Sequence, residues 1–340
     1  MERRLKIMLT LIAALGLCRS GAPASGATPS ALPKGGVWSL VGALPEPRQE
    51  AGITALGTTI YVIGGYGADQ VPSTLVQAYD TAANKWKQTA PIPEAMHHHG
   101  VAAADGKIYV VGGFTGAFAK RNPITSVWQY DPATDRWDKR APLPAPRGAL
   151  AVAVVDGRVY AMGGERFRST GESTSYEPVA DVAVYDPKAN AWEVLPPLRY
   201  RRDHLVAGAI GGRIYAVGGR DRPNYMLQNI EEFNPATRAW TERAPMPTGR
   251  SGGTAAVVNN RLYVFGGEGN PDNTALGTFN QVEFYDPARD AWTQLAPMPL
   301  ARHAIGAAVV GNRIHLPGGS IVQGGRAPGT TPIMDAFEPN

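Results

Sequence analysis

The chain has 340 residues, 44% of them apolar, with 33 Lys and Arg against 29 Asp and Glu and a single cysteine, Cys18. That apolar content suffices for a packed core, and one thiol excludes both a disulfide framework and a multi-thiolate metal cluster. The net charge of +4 is small and mixed in sign along the sequence, which argues against a general electrostatic partner such as nucleic acid.

The first segment reads as an address rather than as structure. Arg3, Arg4 and Lys6 precede an apolar run from Ile7 to Cys18, and Ala22-Pro23-Ala24 follows as a small-x-small exit. A basic start, a short apolar run and a small-residue exit predict a secretory signal peptide over residues 1–24, with a linker over 25–35. The apolar run is too short for a membrane-spanning helix. No transmembrane segment is expected, and the mature chain is expected to be soluble and secreted or periplasmic. Leu-Gly-Leu-Cys also offers a lipobox alternative in which Cys18 is lipidated, although Leu17 is large for the position before the cysteine. The signal segment carries four basic residues and Glu2, so most of the net charge leaves with it.

The remainder is periodic. Glycine doublets begin at Gly64, Gly112, Gly163, Gly218, Gly266 and Gly318, and Trp38, Trp86, Trp137, Trp192, Trp240 and Trp292 each lie 26 residues before a doublet. Three residues before each doublet stands Tyr61, Tyr109, Tyr160, Tyr215, Tyr263 or His315. Seven residues before five of the tryptophans stands Tyr79, Tyr130, Tyr185, Phe233 or Tyr285. Fixed spacing at this period marks a repeat architecture, which overrides the two domains that length alone would suggest.

One unit shows its elements. Gly148 to Asp156 is an apolar run ending in Asp156-Gly157, a tight hairpin signal. Arg158 to Met162 returns to the doublet, Val179 to Tyr185 alternates, Asp186-Pro187 turns, and Ala191 to Leu195 surrounds Trp192. This predicts four antiparallel strands per unit and no sustained helix. A lone four-stranded sheet leaves both faces wet, so the copies must stack radially. The last copy stops after Phe337-Glu338-Pro339, before any tryptophan, and Trp38 has no preceding strands. The missing outer strand is therefore expected from residues near Gly36 to Val41, closing six blades without an open edge.

The doublets, the ring before the outer tryptophan and a period near fifty resemble the kelch repeat. The resemblance implies an all-β, six-bladed propeller over residues 36–340, and one such scaffold hosts many activities.

The loop between the second and third strands carries all the length variation: doublet to aromatic spans 15, 18, 22, 15, 19 and 19 residues. Variable loops on a rigid scaffold are where function concentrates. Kelch proteins that bind ligands on this face place contacts just after the doublet and at the start of the inner strand. That resemblance implies Tyr66, Phe114, Glu165, Arg220, Glu268 and Ser320 in the first row. Glu50, His97, His98, Asp203, His204, Ser251 and His303 form the second. Together they make a polar, aromatic bowl suited to a sugar or a polar peptide.

Three constellations invite chemistry. His98 and His204 occupy equivalent repeat positions and His303 lies one position earlier, so imidazoles converging on the axis invite zinc or copper. Strand alternation turns neighbouring histidines apart, which favours rim histidines, and no metal or cofactor is expected. Glu165 and Glu268 are the catalytic candidates; Arg166 and Arg168 follow Glu165, and Arg168 is expected to bind ligand by holding an anionic sugar. A glutamate after a doublet with an arginine nearby resembles the periplasmic sialic-acid mutarotase, although the loop after Glu268 lacks the arginine. Galactose oxidase is also a kelch protein, but its copper site needs a Tyr-Cys crosslink that a chain without a mature cysteine cannot form. Arg48, Arg147, Arg202, Arg250 and Arg302 share one repeat position and read as scaffold, tying loops through carbonyls. His315 stands at a tyrosine position and reads as structural. The expectation is an exported propeller that binds a glycan or protein segment, the alternative being an epimerase or mutarotase acting through one Glu.

Overall fold

The computed structural model describes residues 35–117, 120–168, 175–221, 226–273, 275–325 and 329–340. The expected signal peptide, residues 25–34 of the linker and Cys18 lie outside the described residues. Among the described residues no helix is long and apolar enough to cross a membrane.

Six four-stranded antiparallel sheets form the blades of a β-propeller. We label the strands of each blade a to d from the axis outward. Blade one is Gly52–Leu56, Thr59–Ile63, Val76–Asp80 and Lys85–Gln88. Blade three is Ala151–Val155, Arg158–Met162, Val182–Asp186 and Ala191–Leu195, close to the runs expected from sequence. In blade six, strands a to c are Ala308–Val310, Arg313–Pro317 and Ile333–Glu338, and strand d is Val37–Ala43. Trp38 pairs with Phe337, so the two ends of the domain close the ring as expected and Phe337 fills the sixth aromatic position.

The repeat residues hold blade to blade. Each outer tryptophan stands opposite its partner ring, as in Tyr130 with Trp137 and Tyr185 with Trp192. The indole N–H then reaches the preceding blade: Trp137 donates to the Ala90 carbonyl at 2.9 Å and Trp192 to that of Ala141 at 2.9 Å. Six apolar clusters fill the six wedges. Between blades one and two, Tyr61, Ile63, Val76 and Ala78 meet Ile108, Val110 and Tyr130. Burial of these faces supplies the main driving force.

The doublets serve a backbone contact. Gly267 donates its N–H to the Arg302 carbonyl at 2.9 Å, crossing from blade five to blade six. A Cβ on Gly266, whose φ is +57, would sit 2.3 Å from that same carbonyl. Only glycine permits both the left-handed backbone and the approach.

The recurrent arginines behave as the sequence suggests. Arg202 is fully buried and donates to the carbonyls of Gly218, Asn229 and Ala216, and pairs with Glu231 at 2.5 Å. Arg302 does the same with Leu316, Gly318, Ile333 and Asp335.

A candidate functional site on the propeller axis

Where each blade begins, one residue adopts a left-handed backbone: Glu50, His98, Ala149, His204, Gly252 and Ala304, with φ between 51 and 62. Left-handed backbone costs a non-glycine residue on the order of 1 kcal/mol. The return is a closed belt of hydrogen bonds. Glu50 N donates to Ala304 O (3.1 Å), Ala304 N to Gly252 O (2.9 Å) and Gly252 N to His204 O (3.0 Å). His204 N donates to Ala149 O (2.9 Å), Ala149 N to His98 O (2.8 Å) and His98 N to Glu50 O (3.0 Å). This belt encircles the axis, and with the next residue of each blade it lines a cavity of about 110 Å³.

One residue earlier in each blade, the chain bridges to the residue after the doublet. The pairs are Gln49 with Tyr66, His97 with Phe114, Gly148 with Glu165, Asp203 with Arg220, Ser251 with Glu268, and His303 with Ser320. The first row expected from sequence forms one side of these bridges, and His97, Asp203, Ser251 and His303 of the second row lie on the other, beside Gln49 and Gly148; Glu50, His98 and His204 lie on the belt instead. Tyr66, Phe114, Glu165 and Ser320 are almost entirely buried, turned into the assembly rather than into open solvent. Arg168 stands apart: it is exposed, 4.0 Å from Glu177, on the blade-three hairpin made by Glu165–Phe167 and Tyr176–Pro178.

Two charge networks result. In the first, Arg220 Nε meets Asp203 Oδ1 at 2.7 Å and Arg220 Nη1 meets Glu268 Oε1 at 2.7 Å. Glu268 Oε2 also accepts the Gly324 N–H at 2.9 Å and lies 3.4 Å from His303 Nδ1. Asp203 Oδ1 takes the Nδ1 of His204 at 2.5 Å. Burial raises the Asp203 carboxyl, but Arg220 and His204 outweigh it and bring it down to about 2. Burial likewise raises Glu268, while His303 and Arg220 hold it below the usual carboxylate range. Both are ionised near neutrality, so Glu268 is equipped as a base rather than as an acid. His204 is pushed down by burial and by Arg220, yet Asp203 raises it overall.

In the second network, the Tyr66 hydroxyl is 2.8 Å from His97 Nε2, His97 Nδ1 is 2.5 Å from His98 Nδ1, and His98 Nε2 is 3.3 Å from Glu50 Oε1. Phe114 stacks on His97 at 5.6 Å. Burial drives His97 down to about 2, and burial also lowers His98 against the pull of Glu50. Burial raises Glu50, but His98, His204 and His303 more than reverse this and hold it as a carboxylate.

Among the described residues, Glu50, His98 and His204 bring three donor atoms within 4.8 Å of one another, a set able to share a cation. The third histidine of the sequence reading, His303, instead sets its Nε2 2.7 Å from the Val322 carbonyl. Sequence reasoning missed Arg121 and Tyr176. Arg121 pairs with Glu165 at 2.8 Å and lies over the Tyr176 ring at 3.9 Å. Both sit in variable loops, which carry no repeat signal that would have singled them out.

Comparison with known proteins agrees with this architecture. The family model for the Attractin/LZTR1 β-propeller matches residues 60–323. Kelch-like protein terF from Aspergillus terreus (strain NIH 2624 / FGSC A1156) is 32% identical over 350 residues, covering 98% of this chain and 74% of that one. Kelch-like protein 25 from Xenopus tropicalis is 30% identical over 181 residues, covering 52% of this chain and 30% of the relative. The solved structure of YjhT superposes with a TM-score of 0.71 over 86% of this chain and 95% of that one, at 19% identity, a likeness of fold. With its six repeats, its closed ring and these matches, the chain belongs to the kelch-repeat β-propeller family.

Proposed function

We propose that the protein is an exported kelch propeller that binds a glycan or a protein segment on the face from which the loops between strands b and c leave. One observation carries the reading. The loops that hold all the length variation leave from the end of the blades where the axial charge networks lie, and two of them form extra hairpins, Phe114–Thr115 with Asn122–Pro123 and Glu165–Phe167 with Tyr176–Pro178. At the opposite end strands a and b join through two-residue turns such as Asp156-Gly157, whose geometry serves only the hairpin. Specificity carried by a few loops on a rigid disc is how such scaffolds acquire ligands.

The test is a thermal-shift screen of the protein lacking residues 1–24 against neutral sugars, sialic acids and polar peptides. A ligand selective for the folded state raises the melting temperature by mass action. A shift with one class, abolished in Arg121→Ala, supports the proposal. A shift that survives unchanged in variants of every variable loop places binding elsewhere and defeats it.

A second reading, a sugar epimerase or mutarotase, is favoured by Glu268 standing ionised and buried beside His303. It requires that Glu268→Gln abolish turnover of a bound sugar, followed through its anomers by NMR, while leaving the thermal shift in place.

A further inference from the structure

We propose that Glu50, His98 and His204 form a binding site for a divalent first-row transition cation, of which zinc is the probe, on the hydrogen-bonded belt that encircles the propeller axis. The proposal goes beyond ligand docking and holds whichever ligand the loop face takes.

The donor set is two imidazoles and one carboxylate, the combination that holds zinc or ferrous iron while leaving coordination positions open. Glu50 Oε1 and His98 Nε2 already stand 3.3 Å apart, close to the edge of a tetrahedron built on bonds of about 2.1 Å. The third donor, from His204, completes a triangle no wider than 4.8 Å. The same belt position in the other three blades is Ala149, Gly252 or Ala304, so no bulky side chain competes for the axis.

Both histidines are oriented by partners behind them. His204 gives its Nδ1 proton to Asp203 at 2.5 Å, which leaves Nε2 as the acceptor nitrogen of the ring. The Arg220 Nη2 group, 3.4 Å from Nε2, donates toward its lone pair and turns aside when a cation takes it. A carboxylate behind a histidine is the usual outer support of a metal ligand. His98 Nδ1 likewise meets His97 Nδ1, whose far nitrogen, Nε2, is 3.1 Å from the Gly116 carbonyl. When His97 donates to Gly116, its Nδ1 accepts the His98 proton, and His98 Nε2 is left bare facing the Glu50 carboxylate. A lone pair and a carboxylate oxygen at 3.3 Å repel unless a cation lies between them. Charge argues the same way, because Arg220 pairs with Asp203 and Glu268, whereas the Glu50 carboxylate faces His98. The competing arrangement runs the protons from the Tyr66 hydroxyl through His97 and His98 to Glu50 and needs no cation.

The experiment uses the protein lacking residues 1–24, stripped with EDTA, titrated with Zn²⁺ by calorimetry and with Co²⁺ in the visible. We expect one site per chain with a Kd of about 10 µM or tighter, and cobalt d–d bands of a four- or five-coordinate ion. Glu50→Gln and His204→Gln should each weaken Zn²⁺ at least tenfold. Asp203→Asn, which spares every ligand, should weaken it about 10- to 100-fold as a positioning residue. Glu50→Gln is nearly isosteric, so a folded variant is at hand should the histidine variants fail to fold. Zn²⁺ binding weaker than about 1 mM, or affinity untouched by Glu50→Gln, overturns the proposal in favour of the proton chain. A loss in His303→Gln as large as that in His204→Gln overturns the ligand assignment.

Discussion

Trp38 and Phe337, separated by almost the whole domain in sequence, face each other across one antiparallel pair with ring centroids 5.0 Å apart. Trp38 also meets Phe265 of blade five edge-on at 6.0 Å, and its indole N–H points to the Ala296 carbonyl at 3.3 Å. One tryptophan thus joins the first described strand, the last strand and the preceding blade. Phe337 is fully buried, so Phe337→Ala should cost about 3–5 kcal/mol. Trp38→Ala should cost less because the indole is half-buried. In a double-mutant cycle the two losses should fall short of additivity by roughly 0.5–3 kcal/mol, read from urea melts. Full additivity would mean that the closing strand is held by backbone pairing alone.

The doublet contact predicts a sharp sequence requirement. Gly266→Ala forces a Cβ against the Arg302 carbonyl and holds alanine at positive φ. The loss should be about 2–4 kcal/mol, combining backbone strain with a clash against main chain that cannot swing away. Gly311→Ala is the control. Its φ is +62 but nothing lies within 4 Å of the added Cβ, so it should lose only the conformational part, about 1 kcal/mol. Equal losses would show that the approach to Arg302 contributes nothing.

Much of this was legible before any coordinates. The constant interval from tryptophan to doublet marks strands b and d, the aromatic before the tryptophan marks strand c, and the orphaned Trp38 marks the closure. These signals repeat because every blade solves the same packing problem. The axial site was legible only in part. Residues after the doublet and before the inner strand were identifiable as neighbours of the axis. Their pairing into β-bridges was not, because it joins two rows that lie apart in each repeat. Nor was the burial of Tyr66 and Phe114, which depends on His97 and His98 of the second blade packing over them. Arg121 and Tyr176 come from loops of unequal length, where no period exists to compare them.

The buried histidines predict acid sensitivity. Burial drives His97 to about 2 and His99 to about 3, below the unfolded value near 6.5. For a base with a lowered folded pKa, neither state is protonated above the unfolded pKa, and no penalty exists there. As pH falls below about 6.5 the unfolded chain takes up protons that the folded chain refuses, so stability drops. At pH 5 the loss is on the order of 2 kcal/mol per histidine. Glu50 and Asp203 have lowered pKa values, so their contribution is present above about 4 and is lost only at lower pH. His204, which is raised, opposes the trend. Urea melts at pH 7 and pH 5 should therefore differ by a few kcal/mol, and His99→Gln should shrink that difference. A stability that stays flat from pH 7 to pH 5 would contradict the buried neutral state of these rings.

The recurrent arginines supply a test that separates scaffold from site. Arg202 serves three backbone carbonyls as well as Glu231, and both side chains are wholly buried. Removing the cation strands Glu231 and three acceptors, whereas removing the acid strands only one guanidinium edge. Arg202→Met should therefore cost about 3–5 kcal/mol, and Glu231→Gln, which keeps an acceptor of the same shape, clearly less. The double variant should recover part of the Arg202→Met loss, because the uncompensated carboxylate disappears with its partner. Burial already raises the Glu231 carboxyl, so acid should relieve the single arginine variant by protonating the stranded acid. Glu231 is wholly buried and off the loop face, so Zn²⁺ affinity and ligand-induced thermal shifts should survive in Glu231→Gln, while Arg202, which holds the Gly218 and Asn229 carbonyls at the loop ends, tests whether the frame alone sets them. Loss of either binding in folded Glu231→Gln would make this buried pair part of the site rather than of the frame.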